Sequence, residues 1–169
     1  MTENVPPAQP SRFAYDPDAQ PDLFDGVLSK RIVAFIIDAV LIVALMIPAA
    51  LLVLVIGLFT LGLGWLLYPF LFAIVALAYV AFTAGGPLSA TIGMRIAGVT
   101  LRTWSGHKLF PLLAIMHAVL FWFSVGLLTP LILLVGLLTA RRQLLHDLLL
   151  GVVALNADAL ARRGLDERR

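Results

Sequence analysis

An all-α, polytopic helical membrane protein, with two full spans and a third apolar region, is the fold class that three observations predict. Of the 169 residues, 61% are apolar and only 13% charged, against about half and about a quarter in an ordinary soluble domain. A chain this short cannot bury such a surplus, and lipid is the solvent that tolerates it on the outside. Two runs are long enough to cross a bilayer: 32–56, with Asp38 as its only charge, and 63–82, with none. Finally, the basic residues flank these runs instead of forming an aromatic-interleaved patch, and the net charge is only +2. They read as orientation signals, and nucleic acid is not an expected partner.

Residues 1–27 form the first unit, a disordered acidic tail. It holds Pro6, Pro7, Pro10, Pro17 and Pro21, and Glu3, Asp16, Asp18, Asp22 and Asp25 oppose the single Arg12. No basic start leads directly into an apolar run, so the first span serves as an uncleaved insertion signal. The membrane domain is 28–156, and a charged C-terminal tail occupies 157–169.

Within the membrane domain, 32–56 spans a ~30 Å hydrocarbon core with some tilt, and Pro48 predicts a kink. Gly57, Gly62 and Gly64 mark a tight turn. The span 63–82 follows, with Trp65, Tyr68 and Tyr79 near its ends, where interfacial aromatics are expected. Next comes a basic loop, 83–108, carrying Arg95, Arg102 and Lys108; its alternation at 99–103 predicts a short strand.

The apolar region 109–138 is long for one helix and is interrupted by Gly126 and Thr129-Pro130. The positive-inside rule puts Lys30 and Arg31, the basic loop, and Arg141 with Arg142 on one side. A helical hairpin, 110–125 and 128–138, returns the chain to that side and is the favoured expectation; a single third span is the alternative. Leu144, Leu145, Leu148 and Leu149 then share one helical face, Gly151 stops that helix, and 152–155 reads as a strand.

Asp38 lies about two turns into the first span, where a carboxylate costs about 2.5–3.5 kcal/mol at the bilayer centre. Arg31, seven positions earlier, is on nearly the same helical face and about 10 Å nearer the helix start. Both face a common partner surface, which the segment from Arg141 to Gly151 supplies through Asp147, the expected bidentate partner of Arg31.

An Arg at the mouth of the first helix, an Asp within it, the loop Thr91-Ile92-Gly93-Met94-Arg95, and a terminal Arg-Arg-Gln-x-x-His-Asp-x-x-x-Gly together resemble the RDD family of membrane proteins. The resemblance covers about 28–155. It carries Arg31, Asp38 and Asp147 over directly; Gly93 and Arg95 match the loop, whereas Met94 stands where a basic residue is usual. For function it implies little beyond cation/proton antiport, which has been proposed for some members.

Two function classes follow. A buried network of Arg31, Asp38 and Asp147, with His117, Arg95, Arg142 and His146 around it, fits a structural or accessory membrane role. The alternative is cation/proton or small-solute transport with Asp38 as the proton or cation site. His107 and His146 lack metal-ligand spacing, so no metal or cofactor is expected, and the absence of zincin, nucleophile-elbow and phosphate-loop patterns argues against an enzyme. The bilayer is the expected partner and a homo-oligomer a second, because two or three spans enclose little; no protein partner is named by the residues. The expected location is the bacterial inner membrane, with both termini cytoplasmic.

Overall fold

A computed structural model describes residues 14–138, 141 and 143–165, with backbone only at 125–138. A 3-10 turn, Pro21–Leu23, leads to Gly26, whose left-handed φ of 65° starts helix α1, Val27–Phe59. At ~1.5 Å per residue its 33 residues reach about 50 Å, longer than a hydrocarbon core. Pro48 lies inside without ending it: proline deletes one backbone donor, and the bonds on either side persist.

Thr60 closes α1, its hydroxyl donating to Ile56 O at 2.7 Å and accepting from Gly64 N at 2.8 Å. The chain then reverses as tightly as its glycines permit. A Cβ on Gly64 would stand 2.6 Å from Gly57 N, and one on Gly57 would enter the Trp65 ring. Trp65 Nε1 and Tyr68 Oη donate back to the α1 carbonyls of Leu54 and Ala50. The second run is composite, a 3-10 helix at Leu63–Phe70 with Pro69 inside it, then α2, Leu71–Thr83.

Two described helical stretches, Pro21–Phe59 and Leu63–Thr83, are long and apolar enough to cross a membrane. Only 6% of the residues in the most apolar stretch of the first are buried, whereas a soluble core helix would be covered. Phe35, Ile36, Val40, Val43 and Ile47 are all exposed. Such a face is stable where lipid covers it.

After α2 come α3 (Ile92–Ala97), β1 (Val99–Thr103), α4 (Pro111–Leu138), α5 (Leu145–Leu150), β2 (Val152–Asn156) and α6 (Ala157–Arg162). The protein is therefore mostly helical but not all-α. β1 and β2 pair antiparallel, Val99 opposite Asn156 and Thr103 opposite Val152. The alternation expected at 99–103 sorts two cores. Val99, Leu101, Val152 and Ala154 pack with Val27, Ala84, Leu109 and Ala114, while Val153 and Leu155 pack with Tyr15, Leu23, Phe24, Ala159 and Leu160.

Two expectations need correction. The favoured hairpin does not form: 111–138 is one continuous helix. A reversal near Gly126 would leave backbone polar groups unpaired in apolar surroundings, whereas a helix loses only the donor that Pro130 lacks. The tails are also shorter than 1–27 and 157–169. Tyr15, Leu23 and Phe24 are buried, as are Ala159 and Leu160, because they cover the second face of the sheet. Residues 1–13 and 166–169 of those expected tails lie outside the described residues.

The two terminal segments are also joined by charge. Arg163 donates to both Asp22 oxygens, at 3.0 and 2.6 Å. These hydrogen bonds hold the Asp22 carboxyl below its usual range. A depressed folded-state pKa adds stability that is present above the ordinary carboxylate pKa and lost as pH falls through the depressed value. The protection factors of the α6 amides, taken relative to their intrinsic exchange rates at each pH, should therefore fall on acidification, and Asp22→Asn should remove that fall. Leu23→Ala, at a fully buried position, should cost about 3 kcal/mol of unfolding stability. Leu149→Ala, at a position 67% exposed, should cost about 0.5 kcal/mol or less in the same denaturation series.

Candidate functional site

Two buried carboxylates organise the interior, and each is served by a different set of donors. Asp38, on α1, meets α2 and the start of α3. Thr91 caps α3 by accepting from Met94 N at 3.1 Å, which leaves its hydroxyl proton for Asp38 Oδ2. Tyr79 Oη likewise accepts from Ile92 N at 3.1 Å and donates to Asp38 Oδ1 at 2.5 Å. Gly93 N donates to the same oxygen at 2.7 Å.

Both hydroxyls have accepted a backbone N–H, so each proton points at Asp38. The carboxylate is met by donors alone, which suits its ionised, acceptor-only form. The approach depends on Gly93. A Cβ there would press on Ala34 O and stand 2.7 Å from Asp38 Cγ and Oδ1.

Asp147 is the N-terminal acid of α5 and is fully buried. Arg31, at the start of α1, grips it with its two terminal guanidinium nitrogens, Nη1 on Oδ2 and Nη2 on Oδ1, the latter at 3.1 Å. His117 Nε2, from α4, lies 2.7 Å from Oδ1, and Leu144 N donates to Oδ2 at 2.9 Å. Four bonds fill the acceptor capacity of the carboxylate. Burial alone would raise the Asp147 pKa, but Arg31 and His117 outweigh it and hold the group well below the usual range.

His146 completes this cluster. Ser124 Oγ spends its proton on Phe121 O at 2.9 Å, so it accepts from His146 Nδ1 at 3.3 Å. That tautomer leaves Nε2 to accept from Arg31 Nη2 at 3.4 Å. Burial drives the His146 pKa down to about 3, and the ring is neutral. It stands edge-on to His117 and Phe121, with ring centroids 4.8 and 5.3 Å away.

Arg31 and Asp147 thus meet, while Asp38 is held separately by Tyr79, Thr91 and Gly93, in place of one convergent group of three. The seven-residue spacing aligns Arg31 with Asp38 along α1, but about 10 Å of rise separates their partners. His117 serves Asp147 and not Asp38. Arg95 is exposed on α3 in neither cluster, and Arg142 lies outside the described residues. The spacing argument also missed that His117, His146 and Asp147 come together, with one ligand atom of each inside 4.8 Å. The guanidinium of Arg31 already occupies the cationic position among them. Tyr79 and Thr91 were missed too, Tyr79 because it reads as an interfacial aromatic; a capping Thr two residues before a Gly was the available signal for Thr91.

Between the clusters, α1, α2 and α4 line a cavity of about 450 Å³ that is partly open to the surroundings, where Phe35, Val43 and Phe72 are exposed. Arg31, Asp38, Tyr79, Thr91 and His117 are its polar lining; aromatic and aliphatic side chains form the rest.

Gly93→Ala should drive α3 off α1 and cost about 1–3 kcal/mol, measured by thermal unfolding in micelles. Asp147→Asn should cost more, about 3–5 kcal/mol, because Arg31 would be left as a buried charge without its counter-ion. An Arg31→Met, Asp147→Leu double variant should recover part of that loss.

The model of the RDD family matches residues 26–151, well over half of the chain. No curated protein and no solved structure matches it. The residues matched run from the glycine that starts α1 to the glycine that ends α5, and so include both carboxylate clusters: the chain belongs to the RDD family.

Proposed function

We propose that this chain is a structural or accessory component of the bacterial inner membrane, without enzymatic activity, in which the two carboxylates set how the helices and the sheet layer fit together. One observation carries the reading. Asp38 accepts from three donors and Asp147 from four, all supplied by the protein itself. A carboxylate so surrounded is a joint: its donors come from different elements, and removing the carboxylate would leave each of those buried donors without its acceptor.

The same contacts support a shared side for both described ends of the chain. β2 pairs with β1, and Arg31 at the start of α1 holds Asp147. Lys30, Lys108 and Arg141 belong to these neighbouring segments, which makes that side the cytoplasmic one by the positive-inside rule. In this reading α1 and the stretch 63–83 cross the bilayer, α4 is embedded beside them, and lipid covers the exposed apolar faces. A homo-oligomer is the expected assembly.

Transport is the second reading, favoured by the cavity on whose wall Asp38 lies. Liposomes loaded with a pH-sensitive dye separate the two. The joint predicts no cation-driven proton flux, and an Asp38→Asn variant less stable by about 1–3 kcal/mol. A flux that Asp38→Asn abolishes while remaining folded would replace the joint by a carrier. A cysteine added after Arg169 should react with an impermeant maleimide only from the cytoplasmic side; reaction from the periplasm alone would reverse the orientation.

A further inference from the structure

The ionisable groups around the cavity are not partnered alike. Arg31 is neutralised by Asp147 through a bidentate pair, and His146 is held as a neutral ring by its hydrogen bonds. His117 is paired with Asp147, its Nε2 lying 2.7 Å from Oδ1. Asp38 differs. Its partners are a phenol, an alcohol and a backbone amide, all neutral, and among the described residues no Lys, Arg or His lies within ion-pair distance of it. The donors stabilise the negative charge without cancelling it.

Around that charge the wall is aromatic. Phe35 of α1 packs on Phe121 of α4, with centroids 5.6 Å apart, and Phe72 of α2 packs on Trp122 of α4 at 5.4 Å. All four side chains line the cavity beside Asp38. A carboxylate with aromatic faces is the combination that holds an organic cation, through charge and through the negative faces of the rings.

The lining disfavours an inorganic cation. A hard metal ion leaves water only for several oxygen ligands. Here Asp38 Oδ1 already accepts two bonds and Oδ2 one, and the hydroxyls beside it are committed. One open position on Oδ2 is enough for an ammonium N–H or for contact with a quaternary head, and too little for a dehydrated metal. The volume of about 450 Å³ falls within the range of small-molecule sites, ~300–1,000 Å³.

We infer that the cavity between α1, α2 and α4 is a binding site for a small lipophilic organic cation, an amine or quaternary ammonium whose head lies at Asp38 and whose apolar body packs among Phe35, Phe72, Phe121 and Trp122. This goes beyond the joint role of Asp38, since the hydrogen bonds that fix the helices also fix the charge on the cavity wall. Binding does not require that the cation be carried across the membrane.

The test uses the full chain in nanodiscs of uncharged phosphatidylcholine, with benzyltrimethylammonium as probe and its neutral carbon isostere, neopentylbenzene, as control, both followed by saturation-transfer NMR. Saturable binding of the cation at least about tenfold tighter than of the isostere is expected. Ala118→Phe, which places a larger side chain at a lining position of α4, should abolish that binding while the protein keeps its unfolding temperature within a few degrees. Asp38→Asn should lose the preference for the cation; if it fails to fold, the isostere comparison and Ala118→Phe decide alone. Absence of saturable cation binding, equal binding of the two probes, binding that survives Ala118→Phe, or displacement of the probe by sodium chloride but not by choline chloride of equal ionic strength would each overturn the proposal.

Discussion

The grip of Arg31 on Asp147 is the interaction from which the rest of the architecture follows. It joins the first turn of α1 to a residue 116 positions later, and in doing so brings the chain after α4 back beside the beginning of the domain. β2 can then pair with β1, and the terminal segments can cover the outer face of that two-stranded sheet. In water such a pair would contribute little. Buried, with four bonds on the carboxylate and His146 beside the guanidinium, either partner without the other would be an unsatisfied charge. The pair therefore specifies one arrangement by making the alternatives costly.

Asp38 imposes a second constraint of a different kind. It ties α1 to α2 and α3 through donors that are themselves oriented by backbone N–H groups. The absence of a side chain at Gly93 is what lets α3 approach closely enough. Those donors are neutral, and the residue also lies on the wall of a cavity whose other surfaces are mostly apolar and aromatic.

Much of the fold was legible in the residues. The apolar runs, the turn at Gly57–Gly64, the strand at 99–103 and the helix stopped by Gly151 each rest on local rules: hydropathy over a bilayer's thickness, small residues at a reversal, alternation, and a left-handed stop. Where reading failed, the signal was not local. Gly126 and Thr129-Pro130 resemble a turn, yet in apolar surroundings unbroken helix is the state that satisfies the backbone. Tyr15, Leu23 and Phe24 sit among prolines and acids, and only the exposed second face of a sheet formed far away makes them a core.

The candidate site divides along the same line. Arg31, Asp38 and Asp147 are conspicuous because ionisable groups beside long apolar runs are expensive, a fact that a single chain displays without coordinates. Which partner each takes is a matter of three-dimensional placement. The rise along α1 separates Arg31 from Asp38, α4 brings His117 to Asp147, and the crossing of α2 past α1 turns Tyr79 from an interfacial aromatic into a hydrogen-bond donor. Membrane residence follows from the chemistry of the side chains taken one at a time; the pairing of buried charges depends on distances between helices, and no property of the residues along the chain encodes those directly.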